Sequence, residues 1–297
     1  MVDLIIDTPG VFARGWFAAI KAEGGPFQDG SQMPESVPPK ATELSLRMIL
    51  TLLDRYSYRI KEHPERMLAC WDGKPKRDKG RAHKTPEFHA EANNFRDALK
   101  YLFKAPSCLV ESAEADDCVA TAAYRSSREG NQVVIMSGDK DLQQLAGGNI
   151  RYYCLVKKMV LTREHILSRW EGIKRPSQIA IALAIMGDPL DKIPGIRGYG
   201  PKKVESLFQA VSGDMNFSEA LEAIDHQLPE KHKDAFYESL DLTLLDSEVE
   251  GVPEPGKIQL LKPSGMRQLV GEDRVPPDYF RVYEDYQLDG DGDFTDL

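Results

Sequence analysis

Nine carboxylates recur at places in the sequence where a hard cation could be held. Asp7, Asp72 and Asp139 close three short apolar runs, VDLIID, RMLACWD and NQVVIMSGD. Glu114, Asp116 and Asp117 open the helical pattern of SAEADDCVATAAY. Asp141 follows Asp139 in MSGDKDLQQL, and Asp188 and Asp191 precede a glycine-rich turn in MGDPLDKIPGIRGYGPKK. Packed together without cations, these acids would repel one another and their pKa values would rise steeply. All-oxygen ligation selects hard ions, and Mg²⁺ takes only one or two carboxylates directly. Nine acids exceed what one ion needs and suit two ions ~4 Å apart, an arrangement matched to in-line displacement at a phosphodiester. One ion would activate water, and the other would stabilise the leaving oxygen.

Each acid alone has a plainer explanation. An aspartate after a strand caps the next helix, and acids in a first helical turn are favoured by the dipole. Glu114 and Asp116, at i and i+2, share a target only where a helix is just beginning, whereas Asp188 and Asp191, at i and i+3, share a face if that segment is helical. Recurrence at every strand end favours a common site. The apolar runs read as buried parallel strands, with helical patterns at Thr42 to Tyr58, Pro86 to Phe103 and Glu114 to Arg128 between and after them. That order predicts an α/β fold with a doubly wound, mostly parallel sheet, whose ligands bind outside the carboxyl ends of the strands. NIRYYCLV and KMVLT add a strand or hairpin.

The predicted organisation is a catalytic core over 1–176 with a basic segment at about 73–95, a helical region over 177–250, and an irregular extension over 251–297. PFQDGSQMPESVPP reads as a loop. Prolines from Pro253 onward leave room for a short strand at most. The ending YQLDGDGDFTDL imitates a calcium loop but lacks glycine at the sixth position and stops before the twelfth, so it reads as an acidic tail.

Lys and Arg total 38 against 47 Asp and Glu, a net charge of -9 that the nine acids alone would account for. The balance argues against a generic basic nucleic-acid binder. Four dispersed cysteines without a C-x-x-C pair and an N-terminus unlike a signal peptide fit a reducing cytoplasm. No apolar run is long enough to predict a membrane span, and the six histidines lack zinc spacing. A dehalogenase-type phosphatase would need a second Asp two residues after the first, where IIDTPG has Pro9.

IPGIRGYGPKK has a helix-hairpin-helix pattern: Ile193, Ile196 and Tyr199 alternate with Gly195, Gly198 and Gly200 ahead of a helix starting near Pro201. Glycines let backbone N–H groups approach a phosphate, and a helix N-terminus adds its dipole. Such a contact reads the DNA backbone and not the bases, with Lys202 and Lys203 adding salt-dependent affinity. A plain αα-hairpin is the alternative. The run GKPKRDKGRAHKTPEF after Asp72 is rich in Lys and Arg, and would be a solvated loop or a set of cations hung over the acidic edge.

Taken together, LIIDTPGVFAR, ACWDGKP, EADD, SGDKDLQQL and MGDPLDKIPGIRGYGPKK resemble the 5′-nuclease or flap endonuclease family, in order from Leu4 to Lys203. The resemblance implies one metal group of Asp7, Asp72, Glu114, Asp116 and Asp117 and a second of Asp139, Asp141, Asp188 and Asp191. It places Arg14 near the scissile phosphate. Many relatives carry YK-x-N-R in a helical arch; here the shortened DKGRAHKTPEF offers Lys79 with Arg81, or else Lys84. It further implies two Mg²⁺ ions, Mn²⁺ as a substitute, and K⁺ held by backbone carbonyls such as those of Ile193 and Ile196. The implied activity is 5′-3′ exonuclease and flap endonuclease cleavage of DNA with 5′ ends, nicks or flaps, leaving 5′-phosphates, in replication and repair. RNA in an RNA–DNA hybrid is a further expected substrate. A free-standing, phage-encoded, monomeric nuclease without membrane attachment is expected. The rivals are a PIN-like ribonuclease, which would not need the hairpin, and a catalytically silent DNA-binding module, which would not need nine acids.

Overall fold

The structure is a computed structural model; it describes residues 1–22, 40–60, 63–73, 86–189 and 191–260, with Tyr279, Val282 and Tyr283. Strands β1 (Val2–Asp7), β2 (Arg66–Trp71), β3 (Ser107–Leu109), β4 (Gln132–Ser137), β5 (Ile150–Cys154), β6 (Met159–Leu161) and β7 (Gly256–Lys257) form one sheet. Its order is β3-β2-β1-β4-β5-β6, with β7 paired to β2. The pairs among β1 to β5 are parallel, while β6 on β5 and β7 on β2 are antiparallel. The predicted hairpin and the short late strand are therefore both present.

The α-helices whose bounds fall among the described residues are α1 (Thr8–Ala22), α2 (Lys40–Ile60), α3 (Pro86–Phe103), α4 (Ala115–Arg128), α5 (Arg163–Leu167), α6 (Ile179–Met186), α7 (Pro201–Phe208), α8 (Phe217–Gln227) and α9 (Lys233–Thr243). Alternation along the central strands sorts their side chains between two cores. Leu4, Ile6, Met67, Ala69, Val134 and Met136 face α1, α2 and α3. Ile5, Leu68, Cys70, Val133 and Ile135 face α4 and part of α6. Strands buried on both faces read as continuous apolar runs, which is why each was visible in the sequence. A third core lies among α6 to α9. Helix α6, IAIALAIM, is apolar all round and lends Ile179 and Leu183 to the second core and Ile181 and Ile185 to the third. The four cysteines are buried free thiols.

Because β1, β2 and β4 run parallel, their carboxyl ends lie on one edge, and the chain leaves β1 in opposite directions for β2 and β4, giving a switch point there. Asp7 ends β1, whereas Asp72 lies one residue and Asp139 two residues past their strands. A tenth acid, Asp3, sits near the opposite end of β1, fully buried, where Arg66 grips it with bonds of 2.7 and 2.6 Å and Ser126 adds its hydroxyl. Arg66→Ala is expected to destabilise the fold by about 3 kcal/mol, because it leaves a buried charge without its partner. Urea unfolding checks the loss, and divalent-metal binding should be unchanged.

Candidate active site

Asp7 builds the site and caps a helix with the same carboxylate. Its Oδ1 accepts the Gly10 N–H at 3.1 Å, and its Oδ2 accepts the Ser137 hydroxyl at 2.5 Å. A Cβ at position 10 would stand 2.2 Å from Asp7 Oδ2, so glycine here lets the carboxylate keep this position. Burial pushes the Asp7 carboxyl up to about 6; the bonds from Ser137 and Gly10 oppose this, and Asp139 and Asp72 add to it. Asp72 Oδ1 accepts the Ala115 N–H at 3.1 Å, tying the end of β2 to the start of α4. The Asp139 N–H donates to Ser137 Oγ at 2.8 Å, and the Tyr152 hydroxyl lies 3.0 and 2.6 Å from the carbonyls of Ser137 and Asp139. The three strand-end aspartates thus meet on one edge.

Glu114 takes the N-cap position of α4 in extended backbone, but its side chain makes no capping bond; Asp116 and Asp117 fill the first turn. Asp117 Oδ1 accepts the Asp246 N–H at 2.9 Å. These three acids share a small cleft with Asp141 and Asp191, walled by Leu242 to Leu245. Asp141, Asp188 and Asp191 each bring a carboxylate oxygen within 4.8 Å of the others. Asp188, Pro189 and Asp191 are not helical, so the condition under which the i, i+3 spacing would give a shared helical face is not met. They lie in a turn closed by an Asp188–Ile193 bridge, with N–H···O bonds of 3.0 and 2.9 Å in each direction. Gly187, at φ +76°, ends α6, and a Cβ there would lie 2.7 Å from the Ile193 carbonyl, so this exit from the helix requires glycine.

Burial, with Asp139 next, pushes the Asp141 carboxyl up to about 7 against the pull of Lys140. Asp141 Oδ1 is buried and accepts no hydrogen bond among the described residues. A buried orphan oxygen beside two further carboxylates is what a hard cation would satisfy, so the residues present fit a metal.

The glycine hairpin divides into a buried and an exposed part. Gly195 does not offer its N–H to a ligand, as the sequence had led one to expect; the N–H donates to the buried Ser239 hydroxyl at 3.0 Å, and a Cβ on Gly195 would fall 2.3 Å from Gly187 N. Gly198 and Gly200 are exposed, with open space where a Cβ would be. Gly200 is the N-cap of α7 and Pro201 its first residue. The Lys203 ammonium lies 4.3 Å from the Tyr199 ring centroid. The carbonyls of Ile193 and Ile196 already accept N–H groups from Asp188 and Tyr199, at 3.0 and 2.9 Å.

With this geometry in place, similarity to known proteins becomes decisive. The profile of the family described as 5′-3′ exonuclease, N-terminal resolvase-like domain, matches residues 3–171. The chain belongs to this 5′-3′ exonuclease family. It is 29% identical over 246 residues to a 5′-3′ exonuclease of Aquifex aeolicus, covering 79% of this chain and 82% of that one. With DNA polymerase I of Bacillus subtilis it is 30% identical over 211 residues, covering 67% of this chain but only 23% of the polymerase. A solved bacteriophage T5 flap endonuclease with DNA and metal ions superposes with TM-score 0.58 at 16% identity, covering 96% and 98% of the two chains. The catalytic core of Rad2 with a DNA substrate gives TM-score 0.52 at 14% identity, covering 97% and 91%. These likenesses place the sheet and helices in the PIN-like 5′-nuclease fold.

As a 5′-3′ exonuclease family member the chain is a nuclease, and its remaining candidate residues can be located. Arg14 lies on α1, two turns beyond Asp7. Lys79, Arg81 and Lys84 lie outside the described residues. Sequence reasoning missed Ser137 and Tyr152, which hold the strand-end aspartates, and Lys140, whose Nζ lies 2.5 Å from Asp188. Lys140 carried a signal, a cation between Asp139 and Asp141; Ser137 and Tyr152 carried none.

Proposed function

We propose that the chain is a divalent-metal-dependent 5′-3′ exonuclease and flap endonuclease acting on DNA with 5′ ends, nicks or flaps and leaving 5′-phosphates. The observation that carries this reading is the convergence of Asp141, Asp188 and Asp191 within 4.8 Å beside a buried, unbonded Asp141 oxygen, on the edge where Asp7, Asp72 and Asp139 also meet. Asp7, Asp72, Glu114, Asp116 and Asp117 would hold one Mg²⁺ and Asp139, Asp141, Asp188 and Asp191 a second, with Mn²⁺ able to replace either. Bound there, the ions would supply an activated water and charge neutralisation at the leaving oxygen.

The chain's own residues do the rest. Ser137 holds the Asp7 carboxylate, Ser137 and Tyr152 hold the Asp139 backbone, and the Asp141 N–H donates to Asp139 Oδ1 at 2.8 Å, so both carboxylates are preorganised before substrate arrives. Lys140 offsets charge at Asp188. Arg14, with Lys79 and Arg81 or Lys84, neutralises the scissile phosphate. Gly198, Gly200 and the start of α7 present backbone N–H groups to duplex phosphates, with Lys202 and Lys203 alongside, while Gly195 shapes the turn that carries them. K⁺ at the Ile193 and Ile196 carbonyls would use their second lone pairs. The core of 1–176 cuts and the region of 177–250 grips. RNA in RNA–DNA hybrids is included in the substrate range, and the protein acts as a cytoplasmic monomer.

The bound T5 and Rad2 DNA supports this reading over a PIN-like ribonuclease. Steady-state cleavage of single-stranded, nicked, flapped and RNA–DNA hybrid substrates with Mg²⁺ tests it; binding without cleavage of any would overturn it. Lys202→Ala with Lys203→Ala should weaken duplex binding and lower the salt slope of log K by about 2. Fluorescence anisotropy across a salt series reads both, and an unchanged slope removes these lysines from the interface.

A further inference from the structure

A second concavity lies on the face of the sheet covered by α1 and α2, and of the residues that line it only Arg14 has a role in the reading above. Helices α1 and α2 and the turn between β5 and β6 enclose a groove of about 520 Å³. Leu44, Arg47, Met48 and Thr51 line it from α2 at i, i+3, i+4 and i+7, so one continuous stripe of that helix faces it. Arg14 and Ala18 line it from α1 at i and i+4, and Lys158 closes it from the turn. Tyr153 and Leu155, both nearly buried, lie at its base.

The chemistry of this lining is specific. In a chain of net charge -9, the groove presents three cations and, among the described residues, no carboxylate. Arg47 is paired with Glu43 at 3.1 Å, which offsets part of its charge, but Glu43 itself does not line the groove. Between the cations the surface is apolar, from Leu44, Met48, Tyr153 and Leu155. Cations alternating with apolar and aromatic surface suit a nucleotide, whose phosphate and base need the two in turn. The volume lies in the range of small-ligand sites.

Its position fits the same occupant. Arg14 is seven residues beyond Asp7, about 10 Å along α1 by helical rise. Leu155 borders Gly138, the residue before Asp139: a Cβ built on Gly138 would stand 3.8 Å from Leu155 Cδ1. Leu155, at the base of the groove, therefore lies next to the turn that carries Asp139.

We infer that this groove is a subsite for an unpaired nucleotide of the 5′ strand, the base lying against Met48, Leu44 and Leu155 and the flanking phosphates meeting Arg14, Arg47 and Lys158. This rests on the nuclease reading above and adds to it a base-accepting pocket. The consequence is a preference for strands that carry a base at the unpaired position nearest the cut.

Two measurements test it. In the first, wild type cleaves a 5′-flapped duplex with either an ordinary or an abasic nucleotide at the first unpaired position. The abasic flap is expected to have about tenfold lower kcat/KM, and Met48→Trp, which fills the groove, should bring that ratio close to one. Equal rates for wild type on both flaps, or a tenfold preference retained by a folded Met48→Trp, overturn the inference while leaving the nuclease reading intact. The second needs no catalysis: with EDTA present, a 5′-phosphorylated trithymidylate should bind about tenfold more weakly to Met48→Trp and several-fold more weakly to Lys158→Glu, with melting temperatures confirming both folds. Unchanged binding by both variants overturns the subsite even if no DNA is cut.

Discussion

Replacing Asp7 by Asn is expected to slow cleavage of a 5′-flapped duplex about a thousandfold while leaving DNA affinity within about twofold of wild type. The Asn can keep the local structure: its carbonyl can accept the Gly10 N–H that Asp7 Oδ1 accepts, and its amide can donate to Ser137 Oγ. What is lost is the negative charge at a buried point shared with Asp139 and Asp72. An amide is a poor ligand for a hard cation, and several kcal/mol of charge stabilisation at the reacting phosphate go with it; ~4 kcal/mol is about three decades in rate. Single-turnover kinetics with anisotropy on the same DNA separates the two effects. A variant within tenfold of wild type in rate would remove Asp7 from the metal site. Arg66→Ala serves as the contrast, because it disturbs a buried acid of the same strand at the opposite end.

The second large effect concerns protons and metal competing for the same oxygens. The folded chain holds the Asp7 and Asp141 carboxyls up at about 6 and about 7, against 3.8 for an ordinary aspartate. Between these values the folded state binds more protons than the unfolded one, so stability falls as pH rises through that window. The metal-free protein should therefore melt lower at pH 8 than at pH 5, by roughly 5 °C. Mg²⁺ reverses the sign: it displaces the protons and should raise the melting temperature far more at pH 8 than at pH 5. At limiting Mg²⁺, cleavage should climb between pH 6 and 8, and saturating Mg²⁺ should move that limb to lower pH. Calorimetry at the two pH values, with EDTA and with Mg²⁺, reads the first pair of effects. A metal-free protein that melts higher at pH 8 would contradict the carboxylate assignment.

The central sheet was legible because β1, β2 and β4 are buried on both faces and so appear as unbroken apolar runs ending in aspartate. Pro86 and Phe103 bound α3 as the pattern predicts, and Glu114 stands at the start of α4. The details that depend on distant partners were not legible. Gly195 looked available to a phosphate, but its N–H belongs to Ser239, 44 residues away. The i, i+3 spacing of Asp188 and Asp191 would give a shared face only on a helix, yet a bridge to Ile193 folds them into a turn that still brings both acids to Asp141. Ser137 reads as any strand-terminal serine until the chain brings Asp7 against it from 130 residues earlier. The capping explanation and the site explanation for Asp7 proved to be compatible, since one carboxylate performs the cap and faces the acidic edge. The groove over Tyr153 and Leu155 had no sequence signature, because its lining comes from two helices and a turn whose stripes meet only in the fold.

The most direct measurement of the central claim uses a 5′-flapped duplex carrying one label at the flap end and another at the 3′ end of the same strand. If metal held by the acidic edge drives cleavage from the 5′ side, Mg²⁺ should release short flap-end fragments and leave a shortened 3′-labelled strand with a 5′-phosphate, and EDTA should abolish both products. Cleavage that persists in EDTA, or digestion that begins from the 3′ end, would contradict it.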